Sequence, residues 1–193
     1  MKVLIVSQYF WPEYFRVNDL NIELKKKNIE IEILTSYPNY PGGKVFEEFK
    51  KNPNKYSNFQ NCKIYRVPQI SRGKGTLTKL TLNYLSFVFS SLLYSLFFLR
   101  KKNYDYVFTF ATSPIIVAIT SIVISRLNNS KHILWVLDLW PNVLDDLNIF
   151  KKDSLIYKLC ERLVKYIYKN TFLILCQSLK YKKKINELDQ SLK

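Results

Sequence analysis

The stretch LWVLDLWPNVLDD, from Leu134 to Asp146, decides how the rest of the chain is interpreted. It begins within the apolar run 133–137, and an unbroken apolar run is typical of a parallel strand that is buried on both faces. The run ends at Asp138, which a tryptophan, a proline and an asparagine closely follow. Because ligands bind beyond the carboxyl ends of strands in open α/β sheets, this loop is a candidate site. The alternative is structural, with the tryptophan filling the core and the proline starting a helix.

Strands and helices are predicted to alternate outward from this stretch. The predicted strands are 2–7, 29–35, 63–67, 104–110, 133–137 and 172–176. The predicted helices are one capped by Asn18 or Asp19, then 77–99, 115–126 and 154–168. Before 115–126, Ser113 or Thr112 is the predicted cap and Pro114 the predicted first helical position. The alternation predicts an α/β fold, a Rossmann-like doubly wound parallel sheet. We expect one domain over residues 1–176, followed by a lysine-rich tail over 177–193.

Composition narrows the class of protein and of partner. The 193 residues suit one domain, and the 48% hydrophobic content is enough for a real core. The net charge of +15 suggests nucleic acid, an anionic membrane or a phosphorylated substrate as partner, although a lysine-rich proteome would also explain it. Three scattered cysteines and one histidine have no metal-binding spacing. We therefore expect a reducing compartment, no metal site and no cofactor.

The segment 77–99 is unusually apolar, with no charged residue between Lys79 and Arg100. Its length alone fits a transmembrane helix. Its polar residues, however, fall on one narrow face, which suits a helix that is partly buried in a domain and partly pressed on a membrane surface. A plain core helix is the third possibility. The basic residues expected to meet anionic headgroups are Lys79, Arg100, Lys101 and Lys102.

Four loops are predicted to leave the carboxyl ends of strands, at 8–16, 36–44, 111–114 and 138–146. Aromatic rings that stack on a sugar, with carboxylates and amides that bind its hydroxyls, would suit a carbohydrate ligand. The candidate binding residues are Glu13, Arg16, Asn18, Tyr37, Asn39, Tyr40, Lys44, Thr112, Ser113, Trp140 and Asn142, with Asp138 as the catalytic candidate. The sequence has no Ser-His-Asp set and no Walker lysine.

Six motifs in order give the chain a family resemblance: VLIVSQYFWPE, RVNDL, LTSYPNYPGGK, NYLSF, ATSP and LWVLDLWPN. Together they resemble the N-terminal domain of glycosyltransferase family 4, in the branch of fucosamine-type amino-sugar transferases of O-antigen and capsule synthesis. The resemblance covers essentially the whole chain. It implies a GT-B fold, in which two Rossmann-like domains face each other across a cleft.

The resemblance also implies a division of labour between the two domains. The N-terminal domain would hold an undecaprenyl-diphosphate-linked acceptor, and a C-terminal domain would hold a nucleotide-sugar donor. Transfer would retain the anomeric configuration without a metal, and Asp138 would orient the acceptor or handle a proton. The protein would be cytoplasmic and peripheral to the inner face of the cytoplasmic membrane.

Two departures from the family pattern qualify these expectations. The first loop, WPEYFRVN, has none of the glycines that the wider family places near the donor phosphates. The family's two glutamates separated by seven residues are also absent. We therefore expect an acceptor half that is inactive alone, as a fragment, an interrupted reading frame or one subunit of a split enzyme.

Two other functional classes compete with this one. The chain could be a non-catalytic membrane-docking subunit that recruits a separate donor-binding chain. A nucleic-acid-binding domain is disfavoured, because the lysines are spread over helix ends and the tail instead of one exposed face.

Overall fold

The strands of the protein form one seven-stranded sheet. The computed structural model describes residues 1–188. The strands are β1 (Lys2–Val6), β2 (Glu30–Ser36), β3 (Asn58–Phe59), β4 (Cys62–Val67), β5 (Tyr106–Ala111), β6 (Lys131–Val136) and β7 (Leu173–Leu175). Their order is β3-β4-β2-β1-β5-β6-β7. All pairs are parallel except the β3–β4 hairpin, so the predicted α/β, Rossmann-like class is confirmed.

Helices connect the strands and lie on both faces of the sheet. They are α1 (Arg16–Lys26), α2 (Glu47–Lys51), α3 (Leu77–Tyr94), α4 (Ala118–Leu127), α5 (Asn142–Asp146), α6 (Leu155–Lys169) and α7 (Leu179–Leu188). A π-helical turn, Ser95–Leu99, extends α3, and 3₁₀ turns occupy Pro53–Tyr56 and Ile115–Val117. The sequence did not predict α2 or β3, which are too short to show a periodicity. Helix α5 corresponds to the alternative interpretation of the central stretch, in which the proline starts a helix, since Pro141 directly precedes it.

One face of the sheet carries most of the core. Leu4, Leu34 and Leu134 point to this face and are fully buried. They pack in one cluster with residues of α3, α4 and α6, and with Ile185 of α7. Successive side chains of a strand point to opposite faces, so every second residue of the inner strands is buried on this face. Part of the predicted tail therefore packs onto the domain, while residues 189–193 lie outside the described part of the chain.

The opposite face is covered less completely. Its cluster contains Val3, Ile5 and Ile33, packed against Val17 of α1, and α1 is the only α-helix within residues 1–188 that contributes to it. At the β6–β7 end, Trp135 is only half-buried. The prediction that 133–137 is buried on both faces is therefore wrong, because no helix in the described part of the chain covers this end of the second face.

The neighbouring strand β7 is open on the same side of the sheet. Leu173 and Leu175 are 44% and 38% exposed. Three exposed or half-buried apolar side chains, counting Trp135, thus form a continuous uncovered surface on β6 and β7. Such a surface is typical of a site that contacts another domain or chain.

Helix α3 buries several polar residues against the protein and exposes many of its large apolar residues to solvent. Asn83, Ser91 and Ser95 are fully buried, and the Ser91 hydroxyl lies 2.8 Å from that of Thr120 on α4. The segment Leu77–Leu99 is long and apolar enough to cross a membrane, yet only 33% of its most apolar window is buried. Its large apolar side chains exposed by more than 40% are Leu77, Leu82, Leu85, Phe89, Leu93, Leu96, Phe97 and Phe98.

Two helix starts differ from the sequence prediction. Helix α1 begins at Arg16, so Asn18 lies inside its first turn and the prediction that Asn18 or Asp19 caps it is wrong. The Asn18 side chain instead bonds to the loop before the helix, as described below. Likewise Pro114 precedes the 3₁₀ turn in an extended conformation, without a capping hydrogen bond, instead of occupying the first turn of a helix.

Candidate functional site

The predicted site loops meet at one edge of the sheet. Parallel strands carry their carboxyl ends to the same edge, so the segments after β1, β2, β4, β5 and β6 all emerge there. The four cis peptide bonds of the described chain all lie in these segments, at Trp11–Pro12, Tyr40–Pro41, Ser113–Pro114 and Trp140–Pro141. The order β2-β1-β5 places the topological switch point beside the end of β1.

Glu13 is a buried carboxylate that joins two of these loops. One carboxylate oxygen accepts the backbone N–H groups of Asn39 at 2.8 Å and Tyr40 at 2.7 Å. The other accepts the N–H of Phe10 at 3.3 Å. Burial raises the pKa of Glu13 to about 7, although these three donors oppose the rise. In this arrangement the Glu13 side chain holds the loops after β1 and β2 together.

Two of the three candidate asparagines, Asn18 and Asn39, also hold backbone in place. The Asn18 amide donates to the carbonyl of Glu13 at 2.8 Å, and its oxygen accepts the N–H of Trp11 at 3.1 Å. Asn39 is fully buried and its amide donates to the carbonyl of Tyr37 at 3.0 Å. The Asn39 side-chain oxygen has no partner in the described structure.

A second charged group, the half-buried Arg66 near the end of β4, lies among the same loops. Its guanidinium donates to the carbonyl oxygens of Trp11, of Ser36 at 2.8 Å and of Tyr56 at 3.0 Å. Burial lowers the pKa of Arg66 to about 10, so it stays protonated at neutral pH. Sequence reasoning missed this residue, because an arginine in an alternating strand does not reveal which loops will approach it.

An aromatic cluster lies next to the hydrogen-bonded groups of Glu13 and Arg66. Tyr9 stacks on Phe15 with ring centroids 5.3 Å apart, and Tyr40 lies within 5.6 Å of both rings. The Arg72 guanidinium lies 4.9 Å above the Tyr40 ring, and Tyr40 is 37% exposed. A partly exposed ring beside a cation can stack on a sugar and neutralise a phosphate. Of these residues, only Tyr40 was among the candidates named from the sequence.

Helix α3 is tied to the site by hydrogen bonds. The Asn83 side-chain oxygen accepts from the Gln8 amide at 2.8 Å and from the Tyr9 hydroxyl at 3.2 Å. Its amide donates to the carbonyl of Ile70 at 2.6 Å, in the same loop as Arg72. The apolar helix and the aromatic cluster are therefore fixed to each other through one buried side chain.

The loops after β5 and β6 make a separate pair of contacts. The Trp140 indole N–H donates to the Ser113 hydroxyl at 3.1 Å, and the ring also packs against the main core cluster. Asp138 lies in a different cavity of about 270 Å³, which it shares with Asp146 and with Lys180 of α7. Asp138 is therefore placed at the predicted edge of the sheet, but it does not contact the Glu13 network.

The other predicted residues are more loosely placed. Arg16 and Lys44 are exposed, and Thr112 and Asn142 are half-buried in the loops after β5 and β6. Tyr37 packs against Phe49 of α2 with centroids 5.0 Å apart. Among the described residues, the structure joins Glu13, Asn18, Asn39 and Tyr40 in one network and pairs Ser113 with Trp140.

Comparison with known proteins gives a structural match only. No family model and no curated protein sequence matches the chain significantly. A solved structure, Anabaena HepE in complex with UDP and glucose, matches 98% of this chain with a TM-score of 0.53 and 11% identity. The chain spans 41% of the length of HepE. The match shows that the chain shares the fold of the corresponding part of HepE.

Gly43 allows the loops after β2 and β4 to approach closely, and replacing it should be costly. Its φ is +72°, and a Cβ there would lie 1.9 Å from the carbonyl oxygen of Gly73. We expect Gly43→Ala to lower the free energy of unfolding by about 2 kcal/mol, because the backbone must shift and is also strained. Urea denaturation measures this. Gly42→Ala is the matched control, because its Cβ would meet nothing within 4 Å, and equal losses for the two variants would contradict the prediction.

Proposed function

We propose that this chain is the acceptor-binding domain of a glycosyltransferase of the GT-B type, resembling family 4. The acceptor is a sugar on undecaprenyl diphosphate at the inner face of the cytoplasmic membrane, within O-antigen or capsule synthesis. A nucleotide-sugar donor is held by a further domain or a separate chain. The glycosyltransferase-like fold and the family motifs support this proposal.

The observation that carries the proposal is the outward apolar face of α3. Phe89 and Phe97 are 64% and 74% exposed on this face. Soluble monomers rarely expose a continuous apolar stripe of this kind, whereas a protein that lies on a membrane requires one. Asn83 on the opposite face is bonded to Gln8 and Tyr9 at the site edge. A helix resting on the bilayer would thus hold the site at the height of a lipid-linked substrate.

The exposed site groups have the chemistry that such an acceptor requires. Arg72 above Tyr40 provides a positive charge for a diphosphate next to a ring for a sugar. Trp140 with Ser113 provides a second aromatic and hydroxyl group. Asp138 lies farther along the same edge, in the cavity with Lys180, where it would orient the acceptor or take a proton.

Reconstitution with a donor domain tests this function. We expect no nucleotide-sugar turnover by the purified chain, because the leaving diphosphate must be stabilised by groups that the resemblance assigns to the donor domain. Fusion of a donor domain from a related enzyme after Lys193 should give measurable transfer to a lipid-diphosphate sugar. Asp138→Asn in that fusion should slow transfer about a hundredfold if Asp138 handles a proton.

The controls separate a catalytic effect from a structural one. Asp153→Asn makes the same change at an exposed position and should leave the rate unchanged. Equal rates for Asp138→Asn and wild type would remove Asp138 from the mechanism. Rapid transfer by the unfused chain, with no copurifying partner, would contradict the acceptor-domain assignment.

A second candidate function is a non-catalytic docking subunit that recruits a donor-binding chain to the membrane. The uncovered surface on β6 and β7, with Leu173 and Leu175 exposed, favours it as a place for such a chain to bind. Native mass spectrometry of the chain isolated from its own cell distinguishes the two cases. A stably bound donor-binding chain would support the docking-subunit function. A chain isolated without a partner would support the acceptor-binding-domain function.

A further inference from the structure

A groove lies between helix α3 and helix α6, next to the proposed acceptor site. Its volume is about 460 Å³, within the usual range of small-molecule pockets. The floor contains Ile115 and Ile116 of the 3₁₀ turn, and the walls include Leu80 of α3 and Leu163 of α6. The segment that connects α5 and α6 closes one side, with Leu147 at the rim.

The lining excludes most kinds of ligand. No charged side chain contributes to it among the described residues, and its few polar side chains include Thr81 and Ser113. A phosphate, a sugar or a peptide backbone placed here would lose hydrogen bonds to water without replacement. A hydrocarbon chain needs no such partners and would gain by leaving water.

The groove connects the two surfaces that the proposed function uses. Its lining includes Trp140 and Ser113, the hydrogen-bonded pair at the site edge. The lining also includes Leu77 and Leu85, which are 55% and 49% exposed on the outward apolar face of α3. An elongated apolar molecule could therefore have one end at the polar site and continue into a bilayer under α3.

We propose that this groove holds the first isoprenoid units of the acceptor's lipid chain. The inference rests on the proposed lipid-linked acceptor and goes beyond it, because it assigns a chain-binding subsite to the domain. The diphosphate lies between the Arg72–Tyr40 pair and the Ser113–Trp140 pair, and the chain passes between α3 and α6 into the membrane. The groove selects acceptors by their lipid as well as by their sugar.

The continuity of apolar surface supports a lipid chain over a second copy of the protein. Leu155 of α6 is 72% exposed and the groove residue Ile156 next to it is 46% exposed, so the apolar surface continues from α3 across the groove to α6. Three exposed basic residues lie on or next to α3, namely Lys74, Lys79 and Arg100. Positive charge near an apolar surface matches anionic lipid headgroups and repels an identical chain that carries the same net charge of +15.

Binding of short prenyl diphosphates to the full chain tests the inference without a membrane. Farnesyl diphosphate, kept below the concentration at which it forms micelles, should bind, and geranyl diphosphate should bind about tenfold or more weakly because it buries one isoprene unit less. Ile156→Glu should weaken farnesyl diphosphate binding by about tenfold or more, because it places a charge in the groove wall. Ile156 is 46% exposed, so the variant should fold.

The matched control lies one turn further along the same helix. Leu159→Glu makes the same change at a position that is 52% exposed but does not line the groove, and it should bind like wild type. A second readout is alkylation of the cysteines. Bound farnesyl diphosphate should protect Cys160, which lines the groove, but leave Cys176 reactive.

The outcomes separate this inference from the proposed function. Equal binding by Ile156→Glu and Leu159→Glu, or equal protection of Cys160 and Cys176, would overturn the groove assignment. If the fused enzyme transfers sugar to an acceptor with a two-carbon chain as fast as to a prenylated one, the groove fails while the acceptor-domain function stands. If the fused protein binds prenyl diphosphates according to their chain length but transfers no sugar, the groove assignment stands and the proposed enzyme function is rejected.

Discussion

Replacing Phe89 and Phe97 with aspartate is expected to weaken binding of the chain to anionic vesicles by about a hundredfold or more. Each phenylalanine gains about 1.5–3 kcal/mol when it leaves water, so the pair contributes about 3 kcal/mol or more. Both rings are largely exposed, at 64% and 74%, so their removal should not unfold the protein. Sedimentation with phosphatidylglycerol vesicles measures the loss.

A double variant elsewhere on the surface gives the control for this loss. Phe172→Asp with Leu179→Asp also replaces two exposed apolar residues, 61% and 85% exposed, and adds the same charge. It should bind vesicles much more tightly than the α3 variant. Equal losses would show that the effect is one of net charge and would contradict docking through α3.

The basic flank of α3 should contribute a smaller, salt-dependent part of vesicle binding. Lys101 is exposed, Lys102 is half-buried, and neither has an ion-pair partner within the described chain. Replacing both with glutamate should weaken the free energy of vesicle binding by about 1 kcal/mol for each lysine lost near the membrane surface. High salt should reduce this part and leave the apolar part.

Glu13→Ala is expected to destabilise the protein by about 3 kcal/mol or more. Three backbone N–H groups, those of Phe10, Asn39 and Tyr40, would lose their acceptor in a buried site. Each unsatisfied buried donor costs about 1–3 kcal/mol, partly offset where water enters. Urea denaturation of the variant at pH 6 measures the change.

Glu13→Gln tests the protonation of the same side chain. The pKa of Glu13 is about 7 in the folded protein and 4.5 in a model compound. Between these values the folded chain holds a proton that the unfolded chain has released, so this carboxyl's contribution to stability is full below pH 4.5 and falls until about pH 7. The slope is about 1.4 kcal/mol per pH unit, so the total is about 3 kcal/mol.

Glutamine does not titrate, so the stability of Glu13→Gln lacks this pH dependence and can be compared directly with that of wild type. The stability difference between wild type and Glu13→Gln should move in favour of Gln as the pH rises from 4.5 to 7. Glu23→Gln, at an exposed carboxylate, should keep the wild-type pH dependence. A pH-independent difference between Glu13→Gln and wild type would show that Glu13 is ionised throughout this range.

The sequence was sufficient for the class of fold, because apolar runs and periodicities are local properties of the chain. The predicted strands 2–7, 63–67 and 104–110 correspond closely to β1, β4 and β5, and the loops between them were placed correctly at one edge of the sheet. The helix after Ser154 was also predicted, and the Ser154 hydroxyl accepts the N–H of Tyr157 at its start. These features depend on neighbours within a few positions.

The composition of the site could be predicted only in part. Glu13 and Asn39 were named as candidates from the sequence, and the structure joins them by a hydrogen bond, but this partnership could not be read from the sequence. Arg66 and Asn83, which fix the loops, lie on a strand and a helix far along the chain from the segments that they hold. A hydrogen bond between residues 75 positions apart, such as that from Gln8 to Asn83, leaves no local pattern.

The sequence by itself determined an α/β fold, a basic chain and a long apolar helix with a polar stripe. Only the tertiary structure decided which side of that helix faces the protein, since Asn83, Ser91 and Ser95 are buried whereas Phe89, Phe97 and Phe98 are exposed. It also decided that 133–137 is fully buried on one face only, because burial depends on which helices reach that end of the sheet. Periodicity states which residues share a face, whereas the surroundings of each face depend on contacts between distant segments.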